Sequence, residues 1–129
     1  MPALQPTGLM VNLLAHPERT VVTTPTPRFS WVVNASHPGA IQQGKRILVA
    51  SSLERLVRDE ADVWDSGEPG IAGGWTTDAR SVAVAYEGPP LEPHTEYWWK
   101  VRTWLSANDA SPWSEPQRFV TGELTDAFT

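Results

Sequence analysis

Cysteine is absent from all 129 residues, so the chain can build no disulfide framework, thiolate metal site or cysteine nucleophile. Nothing in it approaches the roughly 20 consecutive apolar residues that cross a bilayer, and residues 1–18 lack the basic start and long apolar run of an export signal. The chain reads as soluble, without a membrane partner, with the cytoplasm the favoured location. Ten Lys and Arg stand against 15 Asp and Glu, for a net charge of −5. The cations are dispersed, so no basic stripe exists to neutralise a phosphate backbone, and no nucleic-acid partner is expected. The histidines are single residues beside prolines or in turns (His16, His37, His94), without a second ligand at metal spacing. The glycines at 70–74 precede neither a helix nor a Lys-Ser/Thr pair, which argues against a phosphate cradle. No metal or cofactor is expected.

What is present is apolar and aromatic: 40% hydrophobic residues, seven of them Trp, enough for one folded core in a chain of this length. Twelve Pro and nine Gly in short clusters break the chain into brief elements, which favours strands. Residues 8–15, bounded by Pro6 and Pro17, suit a first strand at a sheet edge. Residues 28–33 predict a second, with Phe29, Trp31 and Val33 on one face by the period of two. Within 41–52, Ile47 and Val49 share one face and Leu48 and Ala50 the other, as in a central strand covered on both sides. Leu53, Leu56 and Val57 then fall at helical spacing behind a Ser cap, predicting one short helix. Residues 61–67 return to extended structure, and 81–86 alternate with Val82 and Val84 on one face. The strongest strand signal, 95–105, puts Tyr97, Trp99, Val101, Thr103 and Leu105 on one face and Trp98, Lys100, Arg102 and Trp104 on the other. Residues 117–121 pair back on it as the last strand. About seven strands with turns between them predict an all-β antiparallel sandwich.

Leu91-Glu92-Pro93-His94-Thr95-Glu96-Tyr97 resembles the start of the sixth strand of fibronectin type III and immunoglobulin-like domains. The resemblance gives Tyr97 the role of a tyrosine corner, its hydroxyl meeting a backbone group upstream. A narrower resemblance covers almost the whole chain. It rests on Thr-Pro-Thr-Pro-Arg-Phe-Ser-Trp at 24–31, Ile-Leu-Val-Ala-Ser-Ser at 47–52, Val-Trp-Asp-Ser-Gly at 63–67, Glu-Tyr-Trp-Trp-Lys-Val-Arg at 96–102 and Ser-Pro-Trp-Ser-Glu-Pro at 111–116. In these the chain is similar to the N-terminal fibronectin-like domain of bacterial α-L-rhamnosidases, glycoside hydrolases that remove terminal α-L-rhamnose. Lys45 departs from the aromatic residue usual there, and the Trp75 loop looks particular to this chain. In that family the chemistry belongs to a helical barrel downstream, so the resemblance carries no catalytic residue onto this sequence. It implies a sandwich over 1–122, with 123–129 a tail or the start of a linker.

Glycoside hydrolysis needs two carboxylates facing across a pocket, about 5 to 9.5 Å apart. The local pairs Asp62/Asp65 and Glu92/Glu96 sit in or beside turns, where carboxylates cap backbone or face water, and no catalytic residue is assigned. The face carrying Trp98, Lys100, Arg102 and Trp104, with Trp113 nearby, has two readings. It is a tryptophan and cation ladder closed within the domain, or a partly exposed docking surface for another domain of the parent enzyme. On the second reading the isolated domain would self-associate through it; a carbohydrate ranks last among its partners. The preferred function is a non-catalytic accessory domain of an α-L-rhamnosidase. The alternatives are a free-standing adhesion or receptor module and a carbohydrate-binding module using exposed Trp. Fold alone does not choose among them.

Overall fold

The computed structural model describes residues 3–16, 21–36, 41–67, 79–106 and 108–124; His37, the glycines at 70–74 and Trp75 lie outside them. The strands are β1 (Ala3–Val11), β2 (Arg28–Ala35), β3 (Gly44–Ala50), β4 (Trp64–Asp65), β5 (Val84–Ala85), β6 (Glu96–Ser106), β7 (Asp109–Ala110) and β8 (Gln117–Val120), with one helix, α1 (Leu53–Val57). All strand pairings are antiparallel. β2 lies between β1 and β5 in a three-stranded sheet. β3 and β6 are the middle of the second sheet, with β4 beside β3, and β8 and β7 following one another along the far edge of β6. The expected sandwich with one short helix is the architecture found.

The main core lies where the period of two directs it. Phe29 and Trp31 are buried and Val33 packs beside them, while Val32 between them faces outward. They meet Ile47 and Val49 of β3, Tyr97, Trp99 and Val101 of β6, and Phe119 of β8. The indole of Trp31 donates to the Gln42 side chain at 2.9 Å, so its polar atom is satisfied in the interior. The other face of β3 is also closed: Leu48 and Ala50 are fully buried against Leu56 of α1.

Four expectations change in detail. The first strand begins at Ala3 and ends at Val11, because Asn12 and Leu13 adopt left-handed φ values of 51° and 64° and turn the chain. Val82 does not share a face with Val84. A left-handed Ala83, φ 52°, interrupts the alternation, so Val84 and Tyr86 point inward and Val82 is 67% exposed. Of the helical apolar trio only Leu56 is buried, since five residues make little more than one turn and present one side chain to the sheet. Among the described residues there are eight strands where about seven were expected, because the loop after β6 contributes the two-residue β7.

Candidate functional site

Prolines at 112 and 116 remove two backbone donors from the segment that must close the edge of β6 between β7 and β8. Two serines supply the missing order. The Ser111 N–H donates to the Thr103 carbonyl at 2.8 Å while its Oγ accepts from the Thr103 N–H at 3.0 Å. Ser114 repeats the arrangement on Val101 at 2.9 and 3.0 Å. These clamps hold Trp113 over the outer face of β6. Their signal in the sequence is the Ser-Pro-Trp-Ser-Glu-Pro motif, which earlier supported only a family resemblance.

On that face Trp113 lies between two cations. The Lys100 ammonium is 4.7 Å from its ring centroid and the Arg102 guanidinium 5.7 Å, and Arg102 is also 5.6 Å from the Trp104 ring. Arg102 is fixed by its Nε donating to the Ser111 carbonyl at 2.7 Å. Lys100 is only 6% exposed, and its charge is met by the Asp59 carboxylate. Asp59 reaches it from the end of α1. The Asp59 N–H donates to the Leu56 carbonyl and the Glu60 N–H to the Arg55 carbonyl, a C-terminal cap in which Asp59 takes the left-handed position, φ 60°, usually given to glycine. Trp98 and Trp113 pack against the Leu48, Ala50 and Leu56 cluster.

Period-two reasoning puts Trp98, Lys100, Arg102 and Trp104 on one face, and these are the side chains found there, with Trp98, Arg102 and Trp113 still partly exposed. Trp104 is 8% exposed and Trp98 half-buried, because α1, Asp59 and the 111–114 segment cover the face from within the chain.

At the other end of β6, the Tyr97 hydroxyl accepts from the Glu92 N–H at 2.8 Å, and its ring stacks on Phe119 at 5.5 Å between centroids. Thr121 Oγ1 donates to the Glu92 carbonyl at 2.6 Å, tying the last strand to the same turn. Nearby, burial and then the charge of Tyr97 push the Tyr86 phenol up to about 12; its hydroxyl donates to the Pro89 carbonyl.

The acidic residues singled out earlier serve local structure. The Arg46 guanidinium, bonded to both Asp65 oxygens at 3.0 and 2.7 Å, holds that carboxyl below its ordinary range, outweighing burial, with help from the Gly67 N–H. For Asp62, burial raises the pKa but is outweighed by the Ser51 N–H and hydroxyl and by Arg55, so it too is lowered. Glu96 pairs with Arg118. A proton donor for glycoside cleavage needs a raised carboxyl pKa, the opposite direction. His94 contacts Glu123 at 3.1 Å and His16 is exposed; among the described residues no group of three metal-ligating side chains forms.

A stability prediction follows from the two aspartates. Their folded pKa values lie below the unfolded ones, so their contribution is fully present above the ordinary value of 3.8 and is lost as pH falls through the folded values. Both are partly exposed, so the effect is small. Thermal midpoints should be level from about pH 7 to 5 and fall below about pH 4, with a shallower fall in D62N/D65N. Identical slopes for the two proteins would contradict this origin.

The model of a family described as the Rha78A-like, N-terminal immunoglobulin domain matches residues 7–125. An α-L-rhamnosidase of Formosa agariphila is 37% identical over 119 residues, covering 92% of this chain and 12% of that protein. One of Streptomyces avermitilis is 42% identical over 96 residues, covering 74% of this chain and 8% of the relative. Among solved structures, the Streptomyces avermitilis α-L-rhamnosidase complexed with L-rhamnose superposes with a TM-score of 0.77 at 38% identity, over 93% of this chain and 11% of that one. The enzyme from Dictyoglumus thermophilum gives 0.80 at 32% identity, over 94% and 13%. The chain therefore spans about a tenth of the length of the proteins it resembles.

Proposed function

The chain belongs to the family of Rha78A-like N-terminal immunoglobulin domains, and from that premise we propose that it braces an α-L-rhamnosidase that removes terminal α-L-rhamnose from glycosides. The domain is not the catalytic one. The observation that carries the reading is the end-to-end match to two solved α-L-rhamnosidases at 38% and 32% identity, with the rest of each enzyme outside the match. The partner is then the remainder of the parent enzyme. The test is release of aryl alcohol from an aryl α-L-rhamnoside: the full-length protein carrying this domain turns over and the 129-residue chain does not. Turnover by the chain that a point mutation within it abolishes would sink the proposal, as would an inert full-length protein.

Within that role the residues divide by position. The ladder of Trp98, Lys100, Arg102, Trp104 and Trp113 stiffens the sheet from outside, and Tyr97 pins the turn before β6. In this role the sandwich spans 1–122 and 123–129 form a tail or the start of a linker, with Leu124 resting on the core. Tyr97→Phe leaves the Glu92 N–H without its partner and should cost about 1 to 3 kcal/mol. An unchanged denaturation midpoint would remove Tyr97 from this role.

A further inference from the structure

β4 and β5 are outer strands of the two sheets, and they pair with β3 and β2 but not with one another. Beside them lies a pocket of about 350 Å³ whose wall is mostly polar and includes Lys45, Trp64, Ser66, Arg80 and Glu87. Small-molecule sites are usually lined by apolar groups, so a polar wall selects a ligand that can hydrogen-bond over most of its surface.

The side chains divide by what they can give. A guanidinium carries five N–H donors and an ammonium three, so Arg80 and Lys45 can serve a ligand as well as the groups they meet elsewhere in the chain. Ser66 Oγ accepts from the Ile47 N–H at 2.7 Å, and its own proton has no acceptor among the described residues. The Trp64 indole N–H likewise has none there. Against these donors stands one carboxylate, Glu87, which is exposed and joins no ion pair among the described residues. Two cations, two further donors and one acceptor fit a ligand of the opposite make-up: one carboxylate for the cations, and hydroxyls that accept from Ser66 and Trp64 and donate to Glu87.

The backbone that carries these groups is fixed from the core. Lys45 stands in the β3–β6 ladder opposite Thr103. The Arg80 carbonyl accepts from Gln42 Nε2 at 2.8 Å, and the buried Gln42 accepts from the Trp31 indole at 2.9 Å. Trp64 is stacked on Phe29 and edge-on to Tyr86. Gly88 lies so close to it that an added β-carbon would sit 2.7 Å from the indole, which fixes the turn carrying Glu87. Groups held by packing rather than by loops alone are what a preorganised site requires.

We infer that this pocket binds a carboxylate-bearing sugar, a uronate residue of the glycoside on which the parent enzyme acts. The uronate is argued from the pocket, and its place in the enzyme's substrate rests on the accessory-domain reading. The test follows amide and indole resonances of the 129-residue chain by NMR as methyl glucuronide, methyl galacturonide, methyl glucoside or inorganic phosphate is added. One of the two uronides should shift the Trp64 indole N–H and the amides of Lys45, Ser66 and Glu87, with a Kd at least about tenfold below those of the glucoside and phosphate. Lys45→Gln with Arg80→Gln should raise that Kd at least about tenfold and leave the thermal midpoint within about 2 °C, since neither residue is in the core. Arg80→Gln alone, at an exposed position, should raise it at least about threefold and serves where the double variant does not fold. No shift with either uronide overturns the inference, and so does unchanged uronide affinity in the variants. Equal affinity for the glucoside overturns it because the charge is then not read, and equal affinity for phosphate because the pocket then takes a bare anion. Hydrolysis of an aryl α-L-rhamnoside by the full-length protein separates the two claims: hydrolysis without a uronide shift sinks the site alone, and a uronide shift with an inert full-length protein sinks the enzyme reading alone.

Discussion

Serine at both Trp98 and Trp104 should lower the stability of the 129-residue chain by about 3 to 5 kcal/mol, or roughly 10 to 20 °C in thermal midpoint. Trp104 is almost fully covered and carries the Arg102 guanidinium, while Trp98 is half-buried on the Leu48, Ala50 and Leu56 cluster. Removing the Trp98 indole opens a cavity beneath α1, and removing the Trp104 indole strips the stacking partner from one side of Arg102. A loss of that size is a large part of the 5 to 15 kcal/mol typical of a folded domain. Val32→Ser is the control, because Val32 is 48% exposed on the other sheet and should change the midpoint by no more than about 2 °C. If the double variant behaves like the control, this face is surface and its cover belongs to another domain.

Phe29→Ala should cost about 4 to 5 kcal/mol, at the upper end for a buried aromatic. Phe29 is fully buried on the three-stranded sheet and joins it to the second sheet through Trp99 at 4.5 Å, Phe119 at 6.1 Å and Trp64 at 6.4 Å between centroids, with Tyr86 beside it at 6.4 Å. Each edge or stacked pair adds to the area it buries. Urea denaturation should show a lower midpoint with an unchanged slope, since the same surface is exposed on unfolding. A loss below about 1 kcal/mol would mean that the sheets are held by something other than this aromatic cluster.

The sequence made the core legible because β2, β3 and β6 are long enough for the period of two to repeat. Alternation grouped Phe29 with Trp31, Ile47 with Val49 and Tyr97 with Trp99, and these groups are the ones that meet in the core, with the tyrosine-corner resemblance marking the inward side of β6. Alternation failed at Ala83, where one left-handed residue turned Val82 outward, and at Asn12 and Leu13, where the strand ended sooner than its apolar run. Neither alanine nor leucine advertises a positive φ, so composition could not mark these sites. The ladder residues were legible as a set, but not their cover. That depends on where α1 and the 111–114 segment return in space, and on Asp59 occupying a capping position that glycine usually fills.

The most direct test of an accessory rather than catalytic role is the activity of full-length Phe29→Ala on an aryl α-L-rhamnoside, measured beside its thermal midpoint. The account predicts a lower midpoint with kcat/KM at 25 °C within about twofold of the unmutated enzyme, because the change lies inside a bracing domain and touches no reacting atom. A collapse of kcat at an unchanged midpoint would contradict it.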